Sequence, residues 1–204
     1  MPLALNPRQQ MAREDHGIDE SSDINILFIG TFVPLQGTDV IAQAIHSLRG
    51  EDDIKFILIG DGQKADLTAR LLQDNSKTTW LRNWQSSFTL EAHMEDADIC
   101  LGIFGGDGKA SRVLPFKIYS ALRSGKTVIS QENFGLPYGT PNPPMICCKS
   151  DPESLASAIR LIAPAHEERQ RIEKKAVEYY EKHLSDSAIA QRWQELLIEQ
   201  KHLE

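Results

Sequence analysis

Residues 101–129, LGIFGGDGKASRVLPFKIYSALRSGKTVI, set five basic side chains (Lys109, Arg112, Lys117, Arg123 and Lys126) against one acid, Asp107. They follow an apolar run that ends in Gly105-Gly106-Asp107-Gly108. Glycine lets the main chain approach a ligand closely, and a helix beginning after such a loop offers free N–H groups and a positive dipole end. A helix starting near Leu114 would place Lys117 about one turn in, with its ammonium in reach of the loop. Chemistry of this kind suits an anion, above all phosphate. Two more apolar runs end in glycine, at Gly30-Thr31 and at Gly60-Asp61-Gly62. Each loop alone is equally an ordinary turn with solvated cations beside it. Three of them at one sheet edge favour a nucleotide-type site.

Other chemistry is sparse. Gly60-Asp61-Gly62-Gln63-Lys64-Ala65 fits a dinucleotide fingerprint directly after a strand, but the acid expected some 20 residues on is replaced by Arg82. An NAD(P)-binding oxidoreductase domain is therefore the weakest of the functional readings. Cys100, Cys147 and Cys148 are odd in number, with two adjacent, which is neither a disulfide framework nor a metal-ligand spacing. Cys100 and Cys147 lie in apolar runs and are expected to be buried structural thiols. The six histidines are scattered, so no metal site is expected. Cysteine usage fits a reducing, cytoplasmic compartment.

The elements that must position these loops alternate. Residues 24–30, INILFIG, form a continuous apolar run suited to a strand buried on both faces. Val40, Ile41, Ala44, Ile45 and Leu48 then recur at helical spacing. Strands are expected at 54–60, 78–83, 98–104, 126–130 and 145–148, with helices at 65–72, through Leu90 and Met94, and at 116–124. Asp151-Pro152 starts a further helix, with a capping side chain and then proline in the first turn. Residues 133–144 read as a surface loop, and 167–184 as a densely charged helix. Ile189, Trp193, Leu196 and Leu197 make a last amphipathic stripe, packed on the domain or on something this chain lacks. The pattern predicts an α/β, Rossmann-like, mostly parallel sheet of about six strands with helices on both faces, spanning 24–202 as a single domain. Residues 1–23 are polar and aperiodic, as a linker or tail would be.

With 204 residues the chain has room for one such domain and a real core. A net charge of −7 argues against a general nucleic-acid binder, which needs a broad basic surface. No apolar run is long enough to span a bilayer, and the N-terminus lacks the pattern of a signal peptide.

ILFIGTFVPLQGTDVIAQAI, FILIGDG, the 98–130 segment and DPESLASAI together resemble the C-terminal, donor-binding domain of GT-B glycosyltransferases of the family 4 (group 1) type. DICLGIFGGDGKASRVLPFKIYSALRSGKTVIS carries the most specific part of the likeness. The resemblance implies transfer from a nucleotide-sugar donor with retention at the anomeric carbon, no metal ion and no separate cofactor. It implies donor contacts at Gly30, Thr31, Gln36, Gly37, Gly60, Gly62, Asn83, Trp84, Gly105, Gly106, Lys109, Arg112 and Lys117. The acceptor would be held by an N-terminal GT-B domain or partner subunit, without which this chain would not turn over. Peripheral membrane association of the full enzyme is a further expectation from the likeness.

The departures are informative. The family often has Gly-Arg at the end of the first strand and Lys-Gly soon after, where the cations grip pyrophosphate. Here the positions read Gly30-Thr31 and Gln36-Gly37. Two glutamates usual for the family, eight positions apart, are replaced by Lys109 and Lys117. The two lysines are therefore expected to replace the missing pyrophosphate cations, with helix-start N–H groups near Gly105 and Gly106 completing the cradle. The alternative is a non-catalytic nucleotide-binding or assembly module that has kept the fold.

Overall fold

The structure, a computed structural model, describes residues 23–73, 75–136 and 139–201. The polar start at 1–22 and residues 202–204 lie outside the described residues.

Six parallel strands form one sheet in the order β3-β2-β1-β4-β5-β6. They are β1 (Ile24–Ile29), β2 (Ile54–Ile59), β3 (Thr78–Leu81), β4 (Ile99–Leu101), β5 (Thr127–Gln131) and β6 (Ile146–Cys148). The chain winds outward from β1 to β3, crosses back, and winds outward the other way from β4. Both central strands are buried, as a sheet covered on two faces requires: Ile26, Leu27 and Phe28 of β1 and all of β4 are in the core.

Among the described residues there are seven α-helices: α1 (Thr38–Ser47), α2 (Ala65–Leu71), α3 (Ser87–Asp96), α4 (Phe116–Arg123), α5 (Pro152–Ile162), α6 (His166–His183) and α7 (Asp186–Lys201), the last packed on α6. On one side of the sheet, Ile41, Ala44 and Ile45 of α1 and Leu155, Ala156 and Ile159 of α5 pack on Ile26, Phe28 and Phe56. On the other, Met94 of α3, Ile118 and Leu122 of α4 and Ala176 and Tyr179 of α6 pack on Leu27, Cys100 and Val128. Local signals set the helix starts. Ser86 accepts the Thr89 N–H to open α3, and Asp151 accepts the Ser154 N–H at 2.8 Å to open α5, with Pro152 in its first turn. Such a cap stabilises a helix by about 1 kcal/mol. The buried Arg169 guanidinium closes the other end of α5 by donating to the Ile162 and Ala163 carbonyls.

Three sequence expectations are corrected. β4 ends at Leu101 rather than at residue 104, because Ile103 N–H turns to the Ser130 hydroxyl and Phe104 N–H to the Gln36 carbonyl. The helix expected at 116–124 is present as Phe116–Arg123, so Lys117 is its second residue rather than about one turn in, as a start near Leu114 would have made it. Cys147 is exposed, not buried. It sits on the edge strand β6, whose neighbours Ile146 and Cys148 turn to the packed side. Cys100 is a core thiol, with burial pushing its pKa up to about 12.

The apolar stripe of α7 stays exposed: Ile189, Trp193, Leu196, Leu197 and Ile198. No helix among the described residues is long and apolar enough to cross a membrane.

Candidate functional site

The reversal of winding falls between β1 and β4, and parallel sheets bind ligands outside the carboxyl ends of strands at such a point. The two loops that leave these strands, 30–37 and 102–112, meet there main chain to main chain. Phe104 N–H donates to the Gln36 carbonyl at 3.1 Å. Gly37, at φ 65°, faces the Phe104 backbone so closely that a Cβ would overlap its carbonyl and come within 2.8 Å of its Cα. Gly105 faces the Leu35 backbone in the same way. These two glycines are needed for loop packing.

Lys117, the second residue of α4, points its ammonium into this junction. Nζ lies 2.6 Å from Gln36 Oε1, 3.4 Å from the Gly102 carbonyl and 3.8 Å from the centre of the Phe28 ring. A methyl group on Gly30 would come within 2.7 Å of it. The residue as a whole is half-buried, but its charged end is enclosed. Burial alone pushes the Lys117 pKa well below the ordinary lysine value, with no acid beside it to offset the effect. A small cavity behind it is lined by Leu27, Ile29, Met94, Cys100 and Leu101, none of them charged.

Beyond Gly105 the second loop is exposed at Asp107, Gly108, Lys109 and Arg112, while Ala110 is buried. Gly106 N–H donates to Gln131 Oε1 at 2.9 Å, and Gln131 Nε2 donates back to the Gly106 and Asn133 carbonyls. Ser150 Oγ donates to the Phe104 carbonyl. The expected cradle of helix-start N–H groups at Gly105 and Gly106 is therefore corrected: the Gly106 amide is occupied, and α4 begins ten residues beyond it. Past Gly106 the chain makes a short 3-10 turn, Ala110–Arg112, secured by Arg112 Nε and Ser111 Oγ donating to the Gly108 carbonyl. Lys109 and Arg112 are both exposed; the Lys109 carbonyl accepts the Arg112 N–H at 3.2 Å, and its ammonium has no hydrogen bond or ion pair to a described residue.

The structure thus brings Gly30, Gln36, Gly37, Gly105 and Lys117 together, and leaves Thr31, Lys109 and Arg112 at the solvent side of the same edge. Gly60 and Gly62 belong to the neighbouring loop, where Cβ atoms would collide with the Gly30 carbonyl and the Phe32 backbone. Packing accounts for both. The helix that follows has only seven residues, and Arg82 is held by Asp61 at 3.0 Å, which lowers the pKa of that carboxyl. Asn83 and Trp84 follow β3 and are exposed, Trp84 by 88%. The sequence reading missed Gln131 and Ser150, since neither a lone buried glutamine nor a lone serine carries a spacing signal. A groove of about 500 Å³ runs along α1, α2 and α5, lined by residues such as His46, Arg70 and Arg160, but none of the loop residues reaches it. Among the described residues no three His, Cys, Asp or Glu side chains cluster as metal ligands would.

A family model described as "Glycosyl transferases group 1" matches residues 23–163. The chain belongs to this family. Comparison with curated proteins finds no match. Among solved structures, the C-terminal domain of a glycosyl transferase group 1 family protein (LpcC) from Francisella tularensis superposes with a TM-score of 0.66. Identity is 16%, over 90% of this chain and 95% of that one. Anabaena Alr3699/HepE in complex with UDP-glucose gives a TM-score of 0.68 at 14% identity, over 95% of this chain but 51% of that one. Sucrose-phosphate synthase from Thermosynechococcus elongatus gives 0.69 at 17% identity, over 97% and 49%. This group 1 chain therefore has the fold of a C-terminal GT-B domain, and spans about half the length of the two larger structures.

Proposed function

We propose that this chain is the nucleotide-sugar-binding half of a retaining, hexosyl-type glycosyltransferase of the family 4 kind. The observation that carries the reading is the convergence of the loops after β1 and β4 at the switch point, with the exposed cations Lys109 and Arg112 on the open side. A nucleoside diphosphate lies naturally across such an edge. UDP-glucose is the complexed molecule in one structure of the same fold, which makes uridine diphosphates the first ligands to try.

Loss of the diphosphate leaving group places negative charge on its terminal phosphate. Cations near that oxygen lower the barrier by stabilising the charge as it develops. Lys109 and Arg112 supply that charge, without a metal ion. Gln36 supplies a neutral polar contact from the first loop, Thr31 flanks it, and Asn83 and Trp84 border the nucleoside side. The sugar acceptor is held by an N-terminal GT-B domain or partner subunit, so the chain alone binds donor without turnover. The assembled enzyme works in the cytoplasm and associates peripherally with a membrane.

One observation favours a non-catalytic module instead: the space above Gly30 is already filled by the chain's own Lys117 ammonium. Thermal unfolding in the presence of UDP, UDP-glucose, GDP and NAD separates the readings. A ligand at 100 times its Kd stabilises the folded state by about 2.7 kcal/mol, so binding raises Tm. The enzyme reading expects a shift with at least one nucleoside diphosphate and none with NAD. No shift with any of them leaves the assembly module.

A further inference from the structure

Lys117 and Gln36 are 81 residues apart in sequence and are the closest side-chain pair of the switch point, at 2.6 Å. Nζ lies against three acceptors: Gln36 Oε1, the Gly102 carbonyl and the Phe28 ring face. The nitrogen therefore donates to Gln36, and only the oxygen end of a carboxamide can receive that bond. This fixes which way the amide faces. Gln36 Nε2 is left as two N–H donors with no partner among the described residues, on a half-buried side chain whose Oε1 would lie 3.3 Å from a Cβ on Gly30. An oxygen that already accepts a strong hydrogen bond draws electrons from the amide, so its N–H groups become better donors.

We infer that Lys117 is a positioning residue that acts through Gln36, turning the carboxamide so that its NH2 group, not the lysine ammonium, contacts an anionic oxygen of the ligand at the end of β1. Lys109 of the second loop and Lys117 of α4 then have different tasks. Lys109 faces the ligand as a cation, and Lys117 works from inside the protein. The inference rests on the diphosphate-binding reading above, and gives its first-loop contact a neutral donor where two cations were absent.

Three variants test it, with UDP as probe and calorimetry at two salt concentrations. Gln36→Glu keeps an acceptor for Lys117 and converts that hydrogen bond to an ion pair, but replaces the NH2 donor by a carboxylate. It should unfold no more easily than wild type and bind UDP at least about tenfold more weakly. Lys117→Met frees the amide and should weaken binding about three- to tenfold, with the salt dependence of the affinity unchanged. Lys109→Ala should weaken binding and reduce that salt dependence, because a cation facing the ligand is lost. The inference is overturned if Lys117→Met flattens the salt dependence as Lys109→Ala does, or if Gln36→Glu binds like wild type. Should Lys117→Met fail to fold, Gln36→Glu decides alone. Failure of wild-type protein to bind any nucleoside diphosphate overturns the diphosphate reading together with this one. Binding with an indifferent Gln36→Glu overturns this one only.

Discussion

The loops that form the edge of the switch point differ sharply in how they are held. Where 30–37 meets 102–105, main chain lies on main chain, two glycines are obligatory and the one cation present is enclosed. A few residues on, Asp107, Gly108 and Lys109 are exposed, and the glycine at 108 has nothing within 4 Å of a hypothetical Cβ. The contrast separates two tasks that a glycine- and lysine-rich segment suggests equally well. The packed part sets shape, and the open part offers charge. Within 30 residues, the same residue types serve as scaffold and as candidate ligand contacts.

Substitution of one glycine from each part, Gly37 and Gly108, should expose the contrast most strongly. Gly37→Ala forces a left-handed backbone on alanine and drives its Cβ into the Phe104 carbonyl. Overpacking and strain together should cost about 3 kcal/mol or more of unfolding free energy, measured by denaturant titration. Gly108→Ala has a comparable φ of 89° but open space, so only the left-handed penalty of about 1–2 kcal/mol applies. Equal losses at the two positions would remove the distinction between a packed and an open loop.

A smaller effect tests the open side. Lys109 is exposed and its ammonium is free of described protein partners, so Lys109→Ala should leave thermal unfolding within about 0.5 kcal/mol of wild type. Its effect should appear in UDP affinity instead, a loss of about fivefold, corresponding to about 1 kcal/mol for a solvent-screened charge. A variant that lost stability but kept affinity would move Lys109 from the ligand side to the scaffold.

Most of the architecture was legible because buried parallel strands leave continuous apolar runs, and caps such as Asp151-Pro152 are local. The end of β4 was not, since its last amides are satisfied by Ser130 and by Gln36, residues far away in sequence. For the same reason the sequence placed Lys117 near the second loop but not its head on Gln36. Spacing along a helix gives the face of a lysine; what that face meets depends on the packing of β1 against β4. Cys147 misled for a related cause: an apolar run predicts burial on both faces, and an edge strand has neighbours for only one. Gly60 and Gly62 looked like ligand glycines, and close contacts between the first two loops already require glycine at both positions.

The gentlest test uses pH to ask whether Lys117 is truly enclosed. Burial lowers its pKa well below the ordinary value of 10.5, so the charged form is less favourable in the folded chain than in the unfolded one. Below the folded-state pKa both states carry the proton, and the folded state bears the whole penalty of an enclosed charge. Between that pKa and the unfolded one, the unfolded chain holds a proton that the folded chain has released. Stability contributed by this group therefore rises with pH across that window and levels off near the unfolded pKa. Subtracting the unfolding free energy of Lys117→Met from that of wild type at each pH isolates the group from other titrations. The difference should move in favour of wild type as pH is raised toward 10.5. A flat difference would mean that the ammonium is solvated, and would place Lys117 on the open side with Lys109. The two loops would then share one task after all.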